Sequence, residues 1–198
     1  PWRDDVAAIA CTFLGGEQTG HAWASIVFGE ARPSGRLPIM LPKTEEATIP
    51  PAEGWHSQYS EGIFTSYRAA ATAANASFAF GHGLSYTTFG YRGVRVVDVD
   101  ECSKARISIL RPRELVACIE ATISNTGETP GAEVAQAYVE FSRDLAQPRL
   151  LLRGFHRTRD LEPGETEVVR FALTRRDLSV FSSGRWKAVD VGVTVHVG

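Results

Sequence analysis

The sequence predicts an α+β chain in which a segment of α/β type, residues 1–90, precedes an antiparallel β-sandwich, residues 91–198. Three observations support this prediction. Apolar residues alternate with polar ones through most of the second part, whereas the first part contains one helical pattern between two strand-like runs. Turn-forming sequences separate the alternating runs. With 43% apolar and 22% charged residues, the composition is that of a globular protein.

Several short strands are predicted after residue 90. The clearest follow period-two patterns at 115–123, 135–141, 169–173 and 189–197, and weaker runs lie near 92–99, 105–110 and 150–157. The sequences NTG at 125–127, EPGE at 162–165 and SSG at 182–184 predict turns between them. A total of about seven strands at this spacing is typical of an immunoglobulin-like sandwich, whose two sheets each bury one face.

The first part predicts a strand, a helix and a strand in that order. The apolar run 6–14 predicts the first strand, and EQTGHAWASIVFG predicts a helix that ends before Gly29. RLPIML at 36–41 predicts a strand at a sheet edge, because Pro38 lacks a backbone donor. A parallel α/β sheet needs several strands covered on both faces. We therefore expect these residues to be the end of a larger, incomplete α/β domain, an interpretation that agrees with a first residue other than Met.

Charge and residue spacing argue against several classes of function. The net charge of −2 favours neither nucleic acid nor an anionic membrane as a partner, and no apolar run approaches the length of a membrane helix. His21, His56 and His82 lack metal-ligand spacing, so neither a metal nor a cofactor is expected. GGEQTG at 15–20 opens a helix but lacks the Gly-Lys-Ser/Thr ending of a phosphate loop.

Three cysteines and one tripeptide are possible sites of covalent modification. Among Cys11, Cys102 and Cys118 one disulfide is possible, but Cys11 and Cys118 lie in strand-like runs, where buried free thiols are common. The positions therefore favour free thiols, and the pairing stays open. Asn75 begins an Asn-Ala-Ser sequon and is a possible glycosylation site in a secretory compartment.

Six stretches in collinear order resemble glycoside hydrolase family 3. Residues 15–42, 59–68 (YSEGIFTSYR) and 78–89 (FAFGHGLSYTTF) are similar to motifs of its α/β domain, and residues 124–139, 152–181 and 184–198 resemble its fibronectin type III-like domain. The first three of these stretches differ from the usual motifs of the family. The order Glu17-Gln18 is the reverse of the usual one, Ser66 replaces a Gly, and Ala79 replaces a Pro. The chain is identified as a member of this family, covering its C-terminal portion.

The resemblance implies a β-glucosidase- or β-xylosidase-type parent enzyme that hydrolyses terminal β-linked glucose or xylose with retention. In such enzymes an aspartate of the (β/α)₈ barrel is the nucleophile, and a glutamate upstream in the α/β domain is the acid/base. We expect neither catalytic carboxylate in this chain, which alone should be inactive and structural. Its expected partners are the barrel and α/β domain of the parent, with a carbohydrate substrate, in a secreted, periplasmic or lysosome-like location.

The resemblance also singles out two groups of residues. The substrate-adjacent candidates are Glu17, Gln18, Glu61, Tyr67 and Arg68. The alternative is that Glu17 stabilises the first turn of its helix and that Glu61 pairs with Arg68 to fix a loop. The expected domain-junction residues, where helical periodicity gives way to alternation, are Gly81, His82, Gly83 and Tyr86. For His82 we predict a hydrogen-bonding role in that junction.

A different class of function, a non-catalytic carbohydrate-binding or adhesion module, is the alternative. Exposed aromatic residues on one sheet would favour it, but alternation predicts that most of Tyr138, Phe155, Phe181 and Trp186 lie inside. An arginine cluster could likewise bind acidic polysaccharide; it comprises Arg149, Arg153, Arg157 and Arg159, with Arg175 and Arg176 later. We expect instead that it forms a solvated face balanced by Glu162, Glu165 and Glu167.

Overall fold

The computed structural model describes residues 5–48, 50, 54–69, 73–104, 114–145, 147–189 and 192–198. The chain divides into two compact units, Pro1–Pro33 and Ser34–Gly198. The boundary near residue 90 that the sequence indicates stays a prediction.

The first unit contains helix α1, Thr19–Val27, which confirms the predicted helix. Gln18 is its N-cap residue, and Gly29 follows the C-cap residue Phe28 with φ +78°, a left-handed conformation that glycine adopts without strain. The predicted strand at 6–14 is wrong, because a strand requires a hydrogen-bonded neighbour and none pairs with this run among the described residues. Its residues are exposed, Cys11 included, so that thiol is not buried.

The second unit begins with a short irregular segment. Strand β1, Leu41–Pro42, pairs antiparallel with β2, Ala76–Phe78, and 3₁₀ turns lie at Glu45–Ala47 and Ser66–Arg68. Only the end of the strand predicted at 36–41 is therefore present. The backbone before Leu41 bonds instead to the stretch near His82: the Leu37 N–H donates to the His82 carbonyl and the Gly81 N–H donates to the Leu37 carbonyl, both at 2.8 Å.

The strands of the sandwich are β3 (Phe89–Val97), β4 (Leu115–Asn125), β5 (Val134–Glu140), β6 (Leu150–Arg157), β7 (Thr166–Thr174), β8 (Ser179–Ser182), β9 (Arg185–Ala188) and β10 (Thr194–Val197). They confirm the runs predicted at 115–123, 135–141 and 169–173. Of the run predicted at 189–197, only residues 194–197 form a strand among the described residues, and the strands β8 and β9 were not predicted. One sheet has the order β3-β4-β7 and another β10-β5-β6, while β8 and β9 form a hairpin; all pairs are antiparallel. The weak run predicted at 105–110 lies outside the described residues.

The core lies between the two three-stranded sheets and uses the positions that alternation predicts. Its buried residues include Ile119, Ala121 and Ile123 of β4, Ala135, Ala137 and Val139 of β5, and Val169, Phe171 and Leu173 of β7. Each of the larger side chains stabilises the fold by roughly 1.5–3 kcal/mol relative to exposure. At the close contact between sheets, a side chain on Gly154 would lie 3.1 Å from the ring of Phe171.

A disulfide joins the sandwich to the helix that follows β3, contrary to the expectation of free thiols. Helix α2, Val99–Lys104, contacts β4 and β7 and holds Cys102, which bonds to Cys118 of β4. Both cysteines are buried, with Cα atoms 5.8 Å apart. Sequence periodicity does not show that α2 folds back over β4, so the pairing was not predictable from it.

Candidate functional site

The junction stretch predicted from the sequence lies against the outer face of β5. Gly81 has φ +78°, and a Cβ atom there would lie 2.5 Å from Gln136 Oε1 and 2.8 Å from Tyr138 Oη. Both the backbone conformation and the space therefore require glycine at this position. The Gln136 side-chain amide donates to the Gly81 carbonyl at 3.1 Å, and the Tyr138 hydroxyl donates to Gln136 Oε1 at 2.7 Å.

A buried ionic network, Arg36, Glu133 and Tyr91, links the same stretch to both sheets. The Arg36 guanidinium donates to the Gly83 carbonyl and to both carboxylate oxygens of Glu133. The Tyr91 hydroxyl donates to Glu133 Oε1 at 2.6 Å. Glu133 is only 3% exposed, so its charge depends on these partners. We call these three residues the Arg36 network.

Burial raises the pKa of two tyrosines at the junction. It raises the pKa of Tyr91, and the hydrogen bond to Glu133 raises the pKa of that phenol further. Burial also raises the pKa of Tyr138 to about 12, with a smaller contribution from Tyr67. Both phenols therefore stay neutral hydrogen-bond donors at ordinary pH. The carboxylate of the Arg36 network is held by a guanidinium and a phenol, an arrangement that serves attachment rather than proton transfer.

Tyr67, a substrate-adjacent candidate, anchors its loop to the sandwich. Its ring stacks on Phe80, with centroids 4.1 Å apart and an interplanar angle of 16°, and meets Tyr138 edge-on at 6.3 Å. Its hydroxyl oxygen accepts the Leu152 N–H of β6 at 3.2 Å. The neighbouring Arg68 is exposed, with its Cζ atom 5.8 Å from the Tyr67 ring. Tyr67 therefore holds the 59–68 loop against the sheet.

The other candidates divide between the two units. Glu61 is partly buried in the second unit, and among the ion pairs of the described residues none joins it to Arg68. Glu17 and Gln18 are exposed in the first unit; because α1 begins at Thr19, the expectation that Glu17 lies in its first turn is wrong. The Gln18 carbonyl accepts the Ala22 N–H at 3.0 Å.

The remaining predicted junction residues contribute mainly backbone hydrogen bonds. His82 is exposed; its N–H donates to the Ala79 carbonyl at 3.1 Å, and its ring lies 5.7 Å from that of Phe78. The Tyr86 carbonyl accepts the Thr129 hydroxyl at 3.0 Å. Asn75 is exposed in the turn before β2. Throughout the described ranges, no three potential ligands cluster to hold a metal ion.

Sequence reasoning missed Arg36, Glu133 and Gln136. Glu133 and Gln136 are polar residues near an alternating apolar run, and nothing in the run distinguishes a buried polar side chain from a solvated one. Arg36 carried a usable signal, since it is the first residue of the predicted strand RLPIML at 36–41. Its partner Glu133 lies 97 positions further along the chain, so the sequence did not indicate that the two residues pair.

Buried polar contacts of Arg36 and Gln136 thus attach the residues that precede β3 to the β-sandwich. Residues 1–86 match the family model described as the glycosyl hydrolase family 3 C-terminal domain, and residues 133–198 match that of the fibronectin type III-like domain. The chain belongs to glycosyl hydrolase family 3 and corresponds to its C-terminal region.

Named relatives agree with this assignment. The chain is 35% identical to the probable beta-glucosidase M of Aspergillus niger over 99% of its own length and 28% of the relative's. It is 32% identical to the thermostable beta-glucosidase B of Acetivibrio thermocellus, over 92% of this chain and 24% of the relative. The chain thus spans about a quarter of the length of these curated relatives.

Solved structures show the same fold. Beta-glucosidase 3B from Thermotoga neapolitana, solved in complex with glucose, aligns with a TM-score of 0.82 and 32% identity over 100% of this chain and 27% of that one. Beta-D-glucoside glucohydrolase from Trichoderma reesei aligns with a TM-score of 0.78 and 28% identity over 92% and 27%. Among the described residues, no helix is long and apolar enough to cross a membrane.

Proposed function

We propose that this chain is the C-terminal region of a retaining β-glycosidase that releases terminal β-linked glucose or xylose, and that its own role is structural. The observation that supports this role is the Arg36 network. It joins a segment matched by the family 3 domain model to the fibronectin type III-like sandwich, through a carboxylate that is nearly inaccessible to solvent. The sandwich would stabilise the α/β domain that positions the acid/base.

The reacting carboxylates of the proposed enzyme belong to the barrel and to the earlier part of the α/β domain. Retaining hydrolysis needs two carboxyl groups roughly 5 Å apart on either side of the glycosidic bond. Glu133 is neutralised by Arg36 and receives the Tyr91 hydroxyl, so it is not available as a nucleophile or a base. The parent's barrel and α/β domain are therefore its proposed partners, with the carbohydrate as substrate of the whole enzyme.

The substrate-adjacent roles can be ranked from their surroundings. Tyr67 has one ring face on Phe80 and its hydroxyl on β6, which favours a positioning role for the loop over direct contact with a sugar. Glu61 remains the candidate for contact at the rim of the active site. In the parent enzyme, Glu61→Ala should raise KM if the contact exists; unchanged kinetics with an unchanged Tm would exclude it.

An activity assay tests the proposal directly. The purified chain should release no aglycone from an aryl β-glucoside, under conditions in which Thermotoga neapolitana beta-glucosidase 3B is active. Turnover by the chain, abolished by Glu17→Gln or Glu61→Gln, would overturn the proposal because it would place a catalytic carboxylate within these residues. Turnover that survives both substitutions and stays with the chain through further purification would also overturn the proposal, because another carboxylate of the chain would then be catalytic.

One observation favours the carbohydrate-binding alternative. Phe155, Phe181 and Trp186 are 73%, 56% and 45% exposed, so the expectation that most of the aromatic candidates lie inside is wrong for them. Phe155 belongs to β6 and the other two to the β8–β9 hairpin, so they do not line up along one sheet. Titration with cello-oligosaccharides, followed by tryptophan fluorescence, distinguishes the two functions: saturable quenching supports a binding module.

A secretory or periplasmic location is part of the proposal. The buried Cys102–Cys118 bond supports it, because disulfides persist in oxidising compartments. The exposed sequon at Asn75 agrees with a secretory route. Peptide mass mapping of the natural protein, with and without reduction and glycosidase treatment, tests both features.

A further inference from the structure

A β-bulge in β6 places the side chain of Phe155 on the outside of the sandwich. Leu151 is buried in the core, and strict alternation would direct the side chain of residue 155 into the core as well. The pairing register shifts between Ala137 and Tyr138 of β5, which leaves Arg153 as an extra residue of β6. One extra residue exchanges the two faces of the strand beyond it. Phe155 is therefore directed outwards and is 73% exposed.

Phe155 shares its face of the sheet with the contacts that hold the junction stretch. It pairs with Gln136 of β5, whose side-chain amide donates to the Gly81 carbonyl. Two residues further along β6, Arg157 Nε donates to Ser34 Oγ at 3.2 Å. Side chains of paired residues, and of residues two apart on a strand, lie on the same face. Phe155 thus lies beside two contacts between the preceding segment and the sheet, and yet it is mostly exposed.

A second exposed apolar side chain, Leu84, adjoins the same contacts. Gly83 lies against the backbone of Gly35, because a Cβ atom on Gly83 would collide with the Gly35 carbonyl oxygen. Gly35 follows Ser34 in the chain, and Leu84, which is 76% exposed, follows Gly83. A single exposed apolar residue is ordinary, whereas two beside one interface indicate that this interface extends further. We call Phe155 and Leu84 the apolar rim.

The charges beside the apolar rim already have partners. Arg157 Nη2 lies 3.5 Å from Asp160, and Arg159 donates to Glu165 at 2.7 Å. These pairs agree with the solvated, charge-balanced face that the sequence predicts for the arginine cluster, although Asp160 was not among the expected acids. A surface that covers the apolar rim therefore needs apolar side chains rather than acidic ones.

The length of the relatives indicates where such a surface comes from. The chain spans 28% of the Aspergillus niger relative and 24% of the Acetivibrio thermocellus relative, so most of a parent enzyme of that length lies outside it. The second unit begins at Ser34, the residue that Arg157 binds. A domain that precedes this residue in the parent is thus tethered to the sandwich beside the apolar rim.

We propose that Phe155 and Leu84 dock onto an apolar surface of the parent's α/β domain, on a portion of that domain outside this chain. The docking continues the interface that the Arg36 network and the Gln136 contact begin. It adds an apolar part to those buried polar contacts, in the way that the centre of a stable interface excludes water. This inference rests on the proposed function, because it takes its partner from the parent enzyme.

Hydroxyl-radical footprinting of the parent enzyme and of the isolated chain tests the docking. The radical oxidises exposed side chains, and peptide mass spectrometry measures the oxidation rate of each. We expect Phe155 and Leu84 to react at least about fivefold more slowly in the parent, because the core of an interface is packed like a protein interior. Phe181, which is 56% exposed on the β8–β9 hairpin, is the matched control and should react equally in both.

Substitution of the same residue gives an independent measurement. In the parent, Phe155→Ser should lower the Tm by several degrees, because the apolar area that the ring buries against its partner is lost. In the isolated chain the ring is exposed, so the same substitution should leave the Tm unchanged. Phe181→Ser should leave the Tm unchanged in both proteins.

Three results would overturn the proposal. The first is an equal oxidation rate of Phe155 in the parent and in the chain. The second is protection that is already present in the isolated chain and is lost on dilution, because a second copy would then cover the apolar rim. The third is equal protection of Phe155 and Phe181 in the parent, because the covered surface would then not be specific to the junction.

Activity of the same parent sample separates this inference from the proposed function. A parent that releases aglycone from an aryl β-glucoside, but leaves Phe155 as reactive as in the chain, would refute the docking alone. A parent that shows no turnover, but protects Phe155, would refute the glycosidase function and leave the docking in place.

Discussion

The substitution Glu133→Gln tests how strongly the Arg36 network stabilises the fold. Glutamine has the same shape and keeps an oxygen for the Tyr91 hydroxyl. The change removes the charge that Arg36 binds and replaces one of the two oxygens that accept from Arg36 by an NH2 donor. Breaking a buried ion pair by removing one partner costs about 3–5 kcal/mol. The Arg36 side chain is 19% exposed and can recover some hydration, which favours the lower end, about 3 kcal/mol.

The assay is thermal and urea unfolding of the intact chain, followed by circular dichroism. For a chain of this size each kcal/mol lowers the Tm by roughly 2–4 °C, so a decrease of about 6–12 °C is expected. Glu128→Gln, which removes an exposed carboxylate from the turn between β4 and β5, is the matched control and should leave the Tm unchanged. Arg36→Met should lower the free energy of unfolding by a similar amount.

A double-mutant cycle separates the pair from the individual side chains. If Arg36 and Glu133 stabilise the fold through each other, the variant with both substitutions should lose less than the sum of the two single losses. The reasoning would be refuted if Glu133→Gln changed the free energy of unfolding by less than about 0.5 kcal/mol, the effect of an ordinary surface substitution.

The remaining predictions concern the disulfide, a junction glycine and a buried carboxylate. Replacing Cys102 and Cys118 together by alanine should lower stability by about 3 kcal/mol, the value for a closed loop of roughly this length, and should abolish the effect of a reducing agent on the Tm. Gly81→Ala should destabilise by more than Gly164→Ala, because both have left-handed φ but a Cβ atom meets nothing at Gly164. The hydrogen bond from Arg95 holds the pKa of Glu120 below its usual range. This depressed folded-state pKa contributes stability above the ordinary pKa of Glu, which is lost as the pH falls through the folded value. The advantage of the natural protein over Glu120→Gln should therefore shrink in acid.

Each of these predictions has a control or a contrary result. Cys11→Ala should change neither the Tm nor its response to reductant, since Cys11 is free and exposed. Equal losses of stability in Gly81→Ala and Gly164→Ala would show that Gln136 and Tyr138 do not need the space beside Gly81. A stability difference between Glu120→Gln and the natural protein that stayed constant with pH would show that Arg95 and Arg170 do not favour the charged form of Glu120.

The candidate site illustrates which features a sequence can indicate. The junction stretch at 78–89 was recognisable because its glycines and aromatics are adjacent in the chain. Its function in attachment rests on Gln136 and Glu133, whose distance along the chain from Gly81 and Arg36 hides the contact. The predicted pairing of Glu61 with Arg68 is wrong, because proximity in a loop does not fix the direction of two side chains.

The sequence by itself determined strands β4, β5 and β7, the face of each of these strands that enters the core, helix α1 and the main turns. These are local properties: a period of two or of 3.6 residues and the backbone preferences of glycine and proline act within a few positions. The tertiary structure alone decided that Cys102 bonds to Cys118, that Arg36 binds Glu133, and that a bulge separates Arg153 from its neighbours. Those outcomes depend on the register between strands and on the approach of distant segments, which no local pattern records.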